Sequence, residues 1–158
     1  MANFAGWILL VHVLSAVWLA SGAFAGALVR AQGKRTPDFA GKVAALKIGA
    51  RLVSVFAIPG SLAAGLTGLS LLDPLGFGFR PHWVHLSLAI WLVLLGVGLL
   101  YTAPHLRRMV RAAEASLAAG APSAEFLALA SNKLPGILAD VSALGIVVLI
   151  ALMILKPF

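Results

Sequence analysis

Charged side chains leave four long gaps along this chain. None falls in residues 1–29, 52–72 or 81–106, and residues 134–155 contain only Asp140. Each gap reaches the ~20 residues that a helix needs to cross a bilayer. The pattern predicts an all-α fold: a four-helix transmembrane bundle in one domain over residues 1–158, with spans at about 7–29, 52–72, 82–104 and 134–155. The first window has no basic segment before it and is longer than the apolar region of a signal peptide. A retained helix from Trp7 to Val29 is expected.

The connections differ from one another. Thr36, Pro37 and Asp38 read as an N-cap with proline at the first helical position. Beyond them Phe39, Val43, Leu46 and Ala50 form an apolar stripe leading into the second span. Leu106, Met109, Val110, Ala113 and Leu117 form another after the third, and residues 120–123 then break and restart the helix. Such stripes lie on a membrane surface or against their own bundle. The short segment from Asp73 to Pro81 is a turn cluster, and its Phe77 and Phe79 join Trp7 and Trp83 in an aromatic belt.

Composition agrees with the pattern. The chain is 61% hydrophobic and 11% charged, against about 45–50% and 25% in soluble domains. There is no cysteine, which excludes disulfides, iron–sulfur ligation, thiolate catalysis and covalent haem attachment. Of twelve Lys and Arg residues, six lie between Arg30 and Arg51 and four between Arg107 and Lys133, leaving only Arg80 and Lys156 elsewhere. This asymmetry places both basic connections in the cytoplasm and both termini outside. A bacterial inner membrane is the expected location. The net charge of +7 then reflects topology and attraction to anionic lipid, and no nucleic acid is needed.

The chain also carries weak self-similarity. Residues 12–19 match 85–92 through His12/His85 and Trp18/Trp91, an offset of 73, and Pro59-Gly60 matches Pro135-Gly136, an offset of 76. The two halves would form parallel two-helix repeats. Gly22 and Gly26 in the first span, and Gly60, Ala64 and Gly68 in the second, suit close backbone packing.

Intramembrane ionisable residues are the candidates for chemistry. His12 and His85 fall at similar depth in spans running in the same direction. Two histidines on facing helices can ligate one haem iron; copper or zinc would need further ligands, and none cluster here. Alternatively, each histidine hydrogen-bonds a neighbouring helix. His82 and His105 lie near the boundaries, and Met109 and Met153 read as packing residues. Asp140, roughly 10 Å into the last span by helical rise, needs a partner or a proton. Arg51 is the expected partner, in a structural ion pair, with Lys47 as the alternative.

Around the histidines the chain resembles a known superfamily. Leu10 to Trp18, continuing to Gly22, resembles the first-helix motif of small membrane proteins that include HemJ-type protoporphyrinogen oxidases, CopD-type copper-resistance proteins and an uncharacterised branch of predicted integral membrane proteins. Trp83-Val84-His85 resembles the opening of a later HemJ-type helix, while Thr67-Gly68-Leu69 and Pro104-His105-Leu106-Arg107-Arg108 look most like the uncharacterised branch. The resemblance implies haem ligation by His12. Ser87 stands where the HemJ type has lysine, so the oxidase site is incomplete, and no methionine- or histidine-rich outer segment supports copper uptake.

Two functions follow as expectations. One is a haem b protein with His12 and His85 as iron ligands, passing electrons to or from a quinone or within a membrane redox complex. The other is a non-catalytic accessory subunit without a cofactor, packing on membrane partners or on copies of itself. No nucleophile–base pair, phosphate loop or paired carboxylates can be assembled, so neither hydrolysis nor group transfer is expected.

Overall fold

A computed structural model describes residues 2–157. Every regular element among them is helical: α1 (Ala2–Arg35), α2 (Phe39–Leu52), α3 (Ile58–Ser70), α4 (His82–Gly96), α5 (Ala103–Ala118), α6 (Ala124–Ser131) and α7 (Leu134–Leu155). The elements α2 and α3 are one continuous rod, joined by π-helical turns at Val53–Ala57; α4 and α5 are likewise joined at Val97–Thr102. With α1 and α7 these rods make four helices long and apolar enough to cross a membrane. The basic connections are therefore mostly helical extensions of the spans.

Proline accounts for the π turns. Pro59 and Pro104 each sit just past a π segment. A proline ring clashes with the carbonyl four residues earlier and offers it no N–H, and a locally widened helix accommodates both defects. For Pro59 that carbonyl belongs to Val55, and the Trp18 indole Nε1–H donates to it at 2.9 Å. Pro135 instead occupies the first turn of α7, where no N–H is required. The Pro59–Pro135 match in sequence thus joins residues with different roles.

The helix start after α1 falls two residues later than its sequence suggests. Asp38 is the N-cap of α2, accepting from the Gly41 amide at 2.6 Å, whereas Thr36 donates to Gln32 O and closes α1. Phe39 opens the helix and Val43 is buried, so the stripe itself faces the protein.

Small residues set how closely the rods approach. A Cβ on Gly60 would lie 2.6 Å from the Leu19 backbone nitrogen, and one on Gly22 would lie 2.8 Å from that of Ala57. Two glycines thus seat α1 against α3 and its π turn. Gly26 meets nothing within 4 Å, so only the first glycine of that pair is a packing residue. Around the bundle, α1 packs on α2 and α3, α2 on α5, α4 on α7, and α7 on α1. Lys47 and Glu114 link α2 to α5 by an ion pair at 2.7 Å.

At the end holding the termini, Leu72, Trp83, Val84 and Leu152 form a small core. The α3–α4 turn needs positive φ at Gly76 (74°) and Gly78 (55°), a conformation that a side chain disfavours. Between them Phe77 packs edge-on to Trp83 with ring centroids 5.4 Å apart, and the Lys156 ammonium lies 4.4 Å from the Phe77 centroid. The C-terminal end of α7 is thereby held to the turn.

Candidate functional site

Helical phase decides which side chains face inward at this end. In α1, His12, Ala16 and Leu19 recur at i, i+4 and i+7; in α4, Val84, Ser87 and Trp91 recur at i, i+3 and i+7. These rows, with Gly65 and Gly68 of α3 and Ile146 and Met153 of α7, enclose a mainly apolar cavity of about 220 Å³. Glycines in α3 make room for the walls: the Trp91 ring lies directly over Gly65, and a Cβ on Gly68 would lie 3.0 Å from His12 Cε1.

His12 is held by one nitrogen. Its Nδ1 lies 2.9 Å from Ala64 O and 3.2 Å from Thr67 Oγ1. A carbonyl can only accept, and the Thr67 hydroxyl donates its own proton to Ala63 O at 2.6 Å. Nδ1 therefore carries the hydrogen and donates, which fixes both tautomer and ring orientation. In the neutral ring Nε2 is left as a lone pair. Its partner is Met153 Sδ at 3.3 Å, which also offers lone pairs, so no donor satisfies this nitrogen. The Met153 sulfur, read from sequence as packing, is thus part of the site.

Ser87 supplies the second unmet polar atom. Its residue is 5% exposed, and Oγ has no hydrogen-bond partner. Such a buried orphan costs roughly 1–3 kcal/mol unless something pairs with it. By contrast the Trp91 indole is satisfied, donating to Ser61 O at 2.9 Å. The sequence signal for Ser87 was its place in the resemblance, where a polar residue stands on an apolar helix.

The structure does not bring His12 and His85 together. His85 is exposed, two residues before Ser87 and so about 200° round the helix from it. Its Nδ1 lies 3.3 Å from Pro81 O, and its ring neighbours that of His82 with centroids 6.4 Å apart. Haem b held between these histidines does not fit the arrangement. Met153 is no substitute in this geometry. Its Sδ lies in contact with His12 Nε2, at 3.3 Å, which leaves no space between the two atoms for a metal ion. A cavity of about 220 Å³ is also too small for the macrocycle, since it falls below the range of roughly 300–1,000 Å³ usual for drug-sized ligands.

Asp140 pairs with Arg30 rather than with Arg51. The reason is packing: α7 lies against α1 and α4, and Arg51 belongs to α2. Lys47, the other expected partner, is engaged by Glu114. Among the described residues no group of three or more His, Asp or Glu side chains could hold a metal ion. His105 stacks on Tyr101 at 6.0 Å, away from the cavity.

Residues 7–157 match the family model described as "Predicted integral membrane protein (DUF2269)". No curated protein and no solved structure matches the chain.

Proposed function

The chain belongs to this family of integral membrane proteins, and on that footing we propose that it binds the head ring of a quinone-class lipid as a subunit of a membrane redox complex. The observation that carries this reading is one mainly apolar cavity lined by two residues with unmet polar atoms of complementary kind, His12 and Ser87. His12 Nε2 accepts from a hydroquinone hydroxyl, and Ser87 Oγ, buried in the cavity wall, turns inward to donate to an oxygen elsewhere on the ring. Size agrees: an apolar cavity of about 150 Å³ holds benzene, so about 220 Å³ suits one substituted ring. Leu9, Ile150 and Met153 line the cavity yet stay partly exposed, leaving a gap between α1 and α7 through which an isoprenoid tail reaches lipid. In this reading His12 and Ser87 orient the ring, and electrons pass to a partner subunit. The wider kinship with HemJ-type and CopD-type proteins, suggested by the helix motifs, belongs to the same proposal.

A titration tests it. The purified chain in lipid nanodiscs is mixed with a short-tailed benzene-1,4-diol (hydroquinone), kept reduced, while tryptophan emission is followed, since Trp83 and Trp91 line the cavity. Saturable quenching is expected in the native protein. Affinity should fall about tenfold in Ser87→Ala, the loss of one buried hydrogen bond. Quenching that rises linearly, and identically in Ser87→Ala, would leave the accessory-subunit reading. A Soret band in the purified protein would restore haem.

A further inference from the structure

The opposite end of the bundle holds a second opening, and its chemistry differs. A cleft of about 190 Å³ lies between the α2–α3 rod and α5, lined by Lys47, Arg51, Ser54, Arg107 and apolar residues that include Leu106 and Val110. Three basic residues therefore line one space. Lys47 is neutralised by Glu114, but Arg51 and Arg107 have no ion-pair partner among the described residues. Two like charges facing one cleft repel each other unless an anion lies between them.

The cleft also has a defined depth. Arg51 immediately precedes the uncharged run 52–72, and Arg107 immediately follows the uncharged run 81–106. Both guanidiniums thus stand where the apolar segments end, at the level of lipid headgroups. The walls are the end of α2 and the start of α5, each next to a π segment: Ser54 lies within the first, and Ala103 follows the second. Interruptions of this kind recur at functional sites. The guanidinium fork matches phosphate oxygens in pairs, while Leu106 and Val110 offer an apolar wall to the glycerol and acyl portion.

We infer that this cleft is a binding site for the phosphodiester headgroup of an anionic phospholipid, clamped by Arg51 and Arg107. A free phosphate ion shares the charge chemistry but not the need for an apolar wall. Basic recesses between membrane helices bind such headgroups by the same physics. This inference is independent of the quinone reading and concerns the other end of the molecule.

Native mass spectrometry of the full chain, released from mild detergent with added phosphatidylglycerol or phosphatidylcholine, reads the site directly. Phosphatidylglycerol adducts should outnumber phosphatidylcholine adducts. That preference should drop about fivefold in Arg51→Gln or Arg107→Gln, and about thirtyfold in the double variant. Lys34→Gln/Arg35→Gln, which removes two charges from the same end but outside the cleft, should retain it. Equal loss in that control would overturn the site and leave only general attraction to a basic surface. Displacement of the lipid by low-millimolar inorganic phosphate would overturn the lipid assignment. Matching circular dichroism and thermal midpoints in phosphatidylcholine nanodiscs verify that the variants are folded.

Discussion

The two ends of the bundle place their polar groups in opposite ways. At the end with the termini, a mainly apolar cavity is lined by one imidazole with a free lone pair, held by α3, and by one serine with an orphan hydroxyl. At the other end, an open cleft gathers exposed guanidiniums. Surroundings decide what each group is worth. A polar atom buried in low dielectric loses much when unpaired, so a single hydrogen bond there selects a ligand. Exposed charges are screened, so several must act together. The same number of side chains therefore produces specificity at one end and attraction at the other.

Substitutions separate the two regimes, and the largest effect should come from the scaffold they share. Gly60→Val pushes a side chain into the Leu19 backbone and should lower stability by about 1–3 kcal/mol. Gly26→Ala, which meets nothing within 4 Å, should be neutral or slightly stabilising. Thermal unfolding in nanodiscs distinguishes them. Next, His12→Leu should weaken hydroquinone binding about tenfold or more, while His85→Leu, outside the cavity, should leave it unchanged. Equal losses in both would erase the distinction between inward and outward histidines. Trp18→Phe strips the Val55 carbonyl of its donor and should cost roughly 0.5–1.5 kcal/mol. Smallest, Glu114→Gln removes a half-exposed ion pair and should change stability by no more than about 0.5–1 kcal/mol.

Much of the scaffold is legible in the sequence, because membrane crossing is a matter of charge-free length. Each of the four gaps coincides with a long helix. Gly22 and Gly60 are also readable as packing residues, since a missing Cβ has one use between helices. The site is less so. His12 stands out because imidazole is rare in hydrocarbon, and it is indeed inward. His85 carries the same signal and points out, since matched depth says nothing about rotation round a helix axis. Phase relative to Ser87 and Trp91 contains that information, and it outweighs the repeat. Met153 is silent in sequence because a methionine in the last span is ordinary; only the fold brings it to His12. Asp140 is conspicuous as the lone acid of its span, but its partner depends on which rods touch. Arg30 is next to it through α1 packing on α7.

The central claim is that His12 presents an unprotonated Nε2 to the cavity. Solid-state nitrogen NMR of histidine-labelled protein in bilayers tests it most directly, with His12→Leu identifying the signal. The account predicts a neutral ring protonated at Nδ1, and an Nε2 resonance that shifts when a short-tailed hydroquinone is added. A ring protonated at Nε2, or one indifferent to hydroquinone, would contradict it.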